Sequence, residues 1–296
     1  MDSIDMYNEF MDKISDAVNQ RKLDHALNEC LHAITIMERM DDPDYKAITL
    51  LHNSAGNILD MSSRLDEAVP HYLRALEIQN EHMPDDLLDI AQTHNDLGET
   101  YDKMGNLLKA KKHYIEALKL REIELDDDDE EYLDVAWSCN NIGAVCFDLK
   151  EYSESLTFHT RALKIRERFL PEGHEDTITS TMSIGALSNM FYNDEDALKY
   201  HLKALKDMED TLPEENNLYI AILHGIIGAS YYRLDRNEEA LDHLNKAIEI
   251  RKNNMPSDRL ELAATYDNIG SVYRNLGKLE EALRYAELAL ELREDE

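Results

Sequence analysis

The sequence predicts an all-α fold built from about seven repeats of two helices each. Three observations predict it. Glycines recur in similar surroundings at spacings of 42 to 45 residues, pairs of small residues follow them at constant intervals, and acidic or proline-containing loops separate the units. Self-similarity at a fixed period is the signature of a repeat architecture, in which each unit packs only on its neighbours.

The first helix of each repeat carries a glycine in the middle of a helical pattern, as in "SCNNIGAVCFDL" around Gly143. Glycine costs about 1 kcal/mol relative to alanine inside a helix, so its recurrence requires a packing reason. We interpret these glycines as crossing points at which two helices approach closely. The series is Gly56, Gly98, Gly143, Gly185, Gly228 and Gly270.

The second helix of each repeat carries two small residues, such as Ala68 and Ala75 in "LDEAVPHYLRALEIQ". The same pair occurs upstream at Ala26 and Ala33, and back-counting by one period places a degenerate first helix over residues 4 to 18. The sequence therefore predicts a single array over residues 1–296. Its approximate repeats are 1–41, 42–84, 85–128, 129–172, 173–214, 215–257 and 258–296.

The predicted repeats meet at loops in which proline ends the preceding helix. The proline-containing loops are at 40–44, 82–86, 170–176, 212–216 and 254–258. The acidic stretch "DDDDEE" at 126–131 is the one long linker and accounts for the single spacing of 45.

The charge of the chain limits its partners. It has 62 acidic and 31 basic side chains, and its formal net charge is −31. Because such a chain repels nucleic acids and anionic membranes, we expect a protein or peptide partner. The acidic N-terminal stretch "MDSIDMYNEFMDK" lacks the apolar run of a signal peptide, and no stretch approaches the roughly 18 apolar residues of a membrane span. These features predict a cytoplasmic protein.

The three cysteines are too few for a disulfide framework. Cys139 and Cys146 have no further cysteine or histidine at zinc-ligand spacing, so we interpret both as core residues and expect no metal and no cofactor. His71, His113 and His243 share one position of the second helices, and His159 and His201 lie one residue later, which predicts positions too far apart to hold one ion. We interpret them as polar residues of the outer face.

The two-helix period and the small-residue positions resemble those of tetratricopeptide repeats (TPR). The period of about 42 residues is longer than the usual one of about 34 and is similar to that of kinesin light chains. Their first helix carries a T-L-N-N-L-A-like run, and their repeats meet at a D-H-P-D-like loop. Here "SCNNIGAVC" matches the run and "LPEGHEDTITS" approximates the loop. The resemblance implies a right-handed α-solenoid of about seven TPR repeats, with a concave groove lined by the first helices.

Residues at fixed offsets from each glycine are predicted to line that groove. An asparagine amide both donates and accepts, so it can hold the backbone of an extended peptide whatever its sequence. Aromatic and methionine side chains can accept an apolar anchor. Alternatively, the asparagines bridge neighbouring repeats and the single tryptophan packs on the preceding helix. The predicted groove residues are Asn53, Asn57, Asn95, Glu99, Asp102, Trp137, Asn140, Phe147, Met190, Tyr232, Arg233 and Arg274.

These features predict a non-catalytic scaffold or adaptor that binds an extended peptide with basic and apolar residues. The alternative is a regulatory or targeting subunit or region of a larger enzyme or complex. The sequence contains no nucleophile elbow, phosphate loop, H-E-x-x-H run or zinc constellation, so we do not predict an enzyme. Leu283 and Leu290 lie on an apolar face of the last helix, which predicts weak self-association or a natural sequence that continues further.

Overall fold

The computed structural model describes residues 3–211, 217–253 and 259–294. Within these ranges the chain forms fourteen α-helices and one short 3₁₀ helix, without any strand, which confirms the all-α prediction. The helices are α1 (Ser3–Asn19), α2 (Leu23–Met37), α3 (Tyr45–Met61), α4 (Leu65–His82), α5 (Leu87–Lys103), α6 (Leu107–Glu124), the 3₁₀ helix (Glu130–Tyr132), α7 (Leu133–Asp148), α8 (Tyr152–Phe169), α9 (Glu175–Met190), α10 (Asp194–Thr211), α11 (Asn217–Arg233), α12 (Asn237–Asn253), α13 (Arg259–Asn275) and α14 (Leu279–Glu294).

Each predicted repeat contains one pair of consecutive α-helices, from α1 and α2 in residues 1–41 to α13 and α14 in residues 258–296. The chain divides into two compact units, Met1–Phe158 and His159–Glu296, with the boundary inside α8. Within each unit the helices pack on their neighbours in sequence, as expected for stacked repeats. That all seven repeats form a single array stays a prediction.

The glycines of the first helices let a large side chain of the second helix lie against the backbone. A Cβ atom on Gly56 would be 2.6 Å from the Tyr72 ring, and one on Gly98 would be 2.8 Å from the Tyr114 ring. No real side chain fits at such distances without a shift of the ring. The recurring glycines therefore have the packing reason that the sequence indicated.

The turn between the two helices of each repeat has one residue in the left-handed backbone region. Gly105 and Gly277, both with φ of 73°, adopt this conformation without steric cost. Tyr192 adopts it at φ 57°, which strains a bulky residue. The other turns use Arg21, Ser63, Lys150 and Asp235.

Buried arginines tie some second helices to the first helix of the following repeat. Arg121 is 3% exposed and donates to Ser138 Oγ at 2.6 Å. Arg166 is 4% exposed and donates to Ser180 Oγ at 2.7 Å. Each guanidinium also donates to a backbone carbonyl one turn before that serine. Gln79 occupies the corresponding position of the second repeat.

Some predicted loops fall in the gaps of the structure. The proline-containing loops at 212–216 and 254–258 lie outside the described residues. The acidic stretch 126–131 forms turns and leads into the 3₁₀ helix. Among the described residues, no helix is both long enough and apolar enough to cross a membrane.

Candidate functional site

The predicted asparagine row lies on α3, α5 and α7 of the first unit. Asn53 is half-buried, and its Nδ2 donates to Thr93 Oγ1 on α5 at 2.9 Å, so it bridges two repeats. Asn95 has no exposed surface, because neighbouring helices cover it. Asn140 is half-buried, and its Oδ1 has no hydrogen-bond partner within the described part of the chain. Asn53 and Asn140 therefore keep some exposed surface, although the Oδ1 atom of each is buried, whereas Asn95 is fully covered.

Of the two predicted acidic groove residues, Glu99 already has a partner. Lys103 on α5 forms ion pairs with Asp60 on α3 and with Glu99, the latter at 2.8 Å. Asn57 is exposed, and its Oδ1 accepts a hydrogen bond from the Tyr72 hydroxyl at 2.6 Å. Asp60 and Glu99 therefore share one ammonium group instead of presenting free charge.

Asp102 differs from these acids, because the residue that faces its position from the next repeat is also acidic. Lys103 pairs across the repeat boundary with Asp60, four residues after its glycine. One repeat further on, Asp102 occupies the position of Asp60, and Asp148 occupies the position of Lys103. Burial raises the pKa of Asp102, and the nearby charges of Asp148 and Glu99 raise it further. Two carboxylates thus stand where the preceding boundary has an ion pair.

The predicted apolar anchor site keeps exposed aromatic surface. Trp137 on α7 is 36% exposed, and the Arg121 guanidinium of α6 lies 5.4 Å from its ring centroid. Phe147 is half-buried, with its ring centroid 5.5 Å from that of Tyr152. The tryptophan therefore packs on the preceding helix through one side and remains open on the other.

The remaining predicted residues lie in the second unit. Met190 is 48% exposed, Tyr232 is half-buried and Arg274 is exposed. Arg233 donates through Nε to Asp194 Oδ1 at 2.6 Å and through Nη2 to Asn189 Oδ1 at 2.8 Å. Its charge is thus engaged within the protein.

A cavity between α3, α4 and α5, lined by both polar and apolar residues, was not predicted. Its volume is about 70 Å³, and its lining includes Thr49, Asn53 and Gln79. Thr49 is 3% exposed and Gln79 is 1% exposed. The Thr49 hydroxyl, Asn53 Oδ1 and both amide atoms of Gln79 have no hydrogen-bond partner among the described residues. The sequence signal for this site was a glutamine at a position that the next two repeats fill with arginine.

Six histidines pair inside the repeats, so the prediction that His71, His113 and His243 belong to the outer face is wrong. It is also wrong for His159 and His201, which are 4% and 1% exposed. His71, His113 and His243 each face a histidine of the first helix nineteen residues earlier, so one Nδ1 donates to the other. The pairs and their Nδ1–Nδ1 distances are His52–His71 at 3.1 Å, His94–His113 at 2.9 Å and His224–His243 at 2.9 Å. Burial, with smaller effects of nearby positive charge, lowers the pKa of His52 and His224 to about 4.

Cys139 and Cys146 are fully buried, as predicted for core residues. Cys146, Glu151 and Glu154 form a cluster of potential metal ligands whose ligand atoms lie within 4.8 Å of one another. Lys111 Nζ binds the two carboxylates at 2.6 and 2.7 Å, so an ammonium group already supplies the positive charge. Burial raises the pKa of Cys146 to about 11, which keeps its thiol protonated. A second acidic group, at 126–128, is exposed.

The repeats and their small-residue crossings define a class of helical-repeat scaffolds. Residues 46–123, 134–210 and 218–295 match the family model described as tetratricopeptide repeat. The chain belongs to this family, whose stacked repeats form extended protein-binding surfaces and are typically non-catalytic. No curated protein sequence matches the chain.

Solved structures of low identity share the fold. BtubC (BKLC) from P. vanneervenii is 22% identical, with a TM-score of 0.62 over 78% of this chain and 91% of that one. The nearly identical TPR-like repeats of a putative kinesin light chain from Podosopora anserina are 12% identical, with a TM-score of 0.58 over 69% and 95%. A signal transduction ATPase with numerous domains and a tetratricopeptide repeat sensor, from Pyrococcus horikoshii, is 15% identical, with a TM-score of 0.74 over 97% and 43%. The structural relatives thus include kinesin light chain-like TPR proteins.

Proposed function

We propose that this protein is a non-catalytic scaffold that binds an extended segment of a partner protein along α3, α5 and α7 of its first unit. The observation that carries the proposal is the unpaired acidic position formed by Asp102 and Asp148. Neither carboxylate has an ion-pair partner among the described residues, and a basic side chain would relieve their mutual repulsion. Exposed Trp137 and half-buried Phe147 belong to the same set of first-helix residues and supply apolar surface.

The chemistry of this face specifies the partner segment. It carries a lysine or arginine for Asp102 and Asp148, and an apolar side chain for Trp137 and Phe147. Asn140 is half-buried and contributes through the exposed part of its side chain, because its Oδ1 is itself shielded from solvent. A net charge of −31 favours a basic partner and speeds its association at low salt.

The second unit offers a smaller set of the predicted contacts. Met190 and Tyr232 provide apolar surface, and Arg274 provides an exposed charge. Arg233 contributes less to recognition, because Asp194 and Asn189 hold its guanidinium. We propose these contacts as secondary to those of the first unit.

A display library of random peptides, selected on the full chain, tests the proposal. We expect enrichment of peptides that combine a basic residue with an aromatic or aliphatic one. Asp102→Asn and Trp137→Ala are expected to lower their affinity several-fold, and raising the salt concentration is expected to weaken binding. Asp66→Asn removes an exposed charge from α4, so it controls for net charge alone. Equal binding to wild type, Asp102→Asn and Trp137→Ala contradicts the proposal.

We also propose weak self-association through α14. Leu279, Leu283 and Leu290 are 67%, 61% and 53% exposed, and they follow one face of the helix. Burying such a face against a second copy removes apolar surface from water. A cytoplasmic location and the alternative role in a larger enzyme or complex both stay predictions.

A further inference from the structure

The cavity between α3, α4 and α5 contains several unused hydrogen-bonding groups. Gln79 of α4 is 1% exposed and lines the cavity, and neither of its amide atoms is paired within the described chain. Thr49 and Asn53, from α3, line the same space, and Thr49 Oγ1 and Asn53 Oδ1 are buried and also unpaired among the described residues. Leaving a buried polar group without a partner costs about 1–3 kcal/mol, so four such atoms around one cavity indicate a site for a polar group.

The following repeats show what the same position holds elsewhere in the chain. Gln79 corresponds to Arg121 in the third repeat and to Arg166 in the fourth. Both arginine side chains are buried, and both guanidinium groups donate to a serine and a carbonyl of the next first helix. Glutamine is shorter and carries no charge, so it does not reproduce these contacts. The second repeat thus has a cavity at the position where the next two repeats hold a guanidinium group.

The lining of the cavity also favours a cation. It includes Asp86 and Asp89, against one basic residue, Lys46. Lys46 Nζ lies 3.5 Å from Asp86 Oδ2 and 3.3 Å from Asp89 Oδ2, and its side chain is 60% exposed. An exposed lysine in such contacts can move away at small cost. The carboxylates then remain to attract a positive charge.

We infer that this cavity binds the guanidinium group of an arginine side chain from the partner segment. The inference rests on the proposed function, because Asn53 belongs both to the cavity and to the first-helix face that the segment is proposed to follow. Gln79 Oε1, Asn53 Oδ1 and Thr49 Oγ1 accept from the planar set of five guanidinium N–H donors. Lysine has only three donors on a compact ammonium group, so arginine fits these acceptors better.

The experiment uses a small probe and therefore needs no identified partner. N-acetyl-L-argininamide is titrated into the full-length, ¹⁵N-labelled protein, while the side-chain amide signals of Gln79 and Asn53 are followed by NMR. We expect saturable shifts of both signals. The lysine analogue binds at least several-fold more weakly, and the uncharged citrulline analogue gives no saturable shift.

Two substitutions at one position test the location of the site. Gln79→Arg supplies the guanidinium group from the chain itself, as Arg121 does, and is expected to abolish binding of the probe. Gln79→Met removes the polar atoms and reproduces Met208, the buried counterpart in the fifth repeat, so it is expected to fold and to lose binding. In these variants the Asn53 signal reports binding. Lys46→Met is expected to strengthen binding, because it removes the competing ammonium group.

Probe binding that persists unchanged in Gln79→Met, or wild-type protein that shows no saturable shift with the arginine probe, overturns the inference. Equal binding of the arginine and citrulline analogues also overturns it, because the cavity then recognises a planar amide-like group without its charge. A failure here leaves the peptide selection and its dependence on Asp102 and Trp137 untouched. Conversely, if peptide affinity does not depend on Asp102 and Trp137 but the probe still binds, the proposed peptide face is refuted and the cavity inference stands.

Discussion

Two glycines in helix interiors are expected to respond in opposite ways to one added methyl group. In Gly98→Ala the new Cβ would lie 2.8 Å from the Tyr114 ring, so the ring must shift from its packed position. We expect the free energy of unfolding to fall by about 1–3 kcal/mol, the usual cost of overpacking. Gly225→Ala in α11 meets no atom within 4 Å and is expected to raise it by about 0.5–1 kcal/mol. Urea unfolding of both variants measures the difference, and changes of the same sign contradict it.

Tyr192 has an unfavourable backbone conformation whose cost in folding free energy can be measured. Its φ of 57° is in the left-handed region, and its side chain is 91% exposed, so little packing compensates the strain. Tyr192→Gly is expected to stabilise the protein by about 1 kcal/mol, because glycine adopts this conformation freely. Thermal unfolding checks the sign. Tyr192→Ala is the control that shortens the side chain without relieving the backbone, and a gain of equal size in both variants would refute the explanation.

At the scale of secondary-structure elements, α14 differs from the other second helices in the exposure of one leucine position. The comparison covers the second helices in which the counterpart of Leu290 is described. Leu290 is 53% exposed, whereas the corresponding residues are 5% to 7% exposed because a following helix covers them. These residues are Ile34, Leu76, Leu118, Leu163, Leu205 and Ile248. The face of α14 thus retains the shape of a helix–helix interface, which supports the proposed self-association.

Leu290→Glu tests this role of α14. Because the side chain is half-exposed, we expect the melting temperature to change little while self-association is lost, as measured by sedimentation equilibrium over a range of protein concentrations. Leu108→Glu, at a 70% exposed position of α6, is the matched control and should leave association unchanged. Wild-type protein that remains monomeric at millimolar concentration would refute the proposal.

The elements were predictable from sequence because each crossing of two helices requires the same small residues in every repeat. Gly56 and Gly98 therefore report helix pairing directly, and the pairs fall inside the predicted repeats. The burial of Asn95 was not predictable in this way, since it depends on how helices of several repeats close over one amide. The histidine pairs could have been predicted, because the separation between His52 and His71 is repeated by a histidine pair in two further repeats. The cavity beside Gln79 depends on volumes between three helices, which no periodicity reports.

At the scale of the whole molecule, buried histidines couple stability to pH. Burial lowers the pKa of His52, His113, His159, His201 and His224 to about 4, with smaller contributions from nearby positive groups. The unfolded chain protonates its histidines near pH 6.5. It therefore binds more protons than the folded chain between about pH 6.5 and 4, and folding stability falls as the pH is lowered through that window. Asp96 opposes this trend. Burial raises its pKa to about 6, so the folded protein binds a proton there at a higher pH than the unfolded chain does.

His201 allows this coupling to be measured for one residue. It is 1% exposed, and its ring fills the space beside Gly185, while the charge of Arg233 adds to the effect of burial on its pKa. His201→Gln removes the titrating group, so the loss of unfolding free energy from pH 6.5 to 4.5 should become shallower by up to about 1.4 kcal/mol per pH unit. Urea unfolding at a series of pH values gives this slope. The variant is expected to be less stable than wild type at pH 7, where the packing beside Gly185 is lost, and to approach it in acid. His25→Gln, at an exposed position of α2, should retain the wild-type slope. If both variants show that slope, the folded protein already protonates His201 as the unfolded chain does, and burial does not hold it neutral.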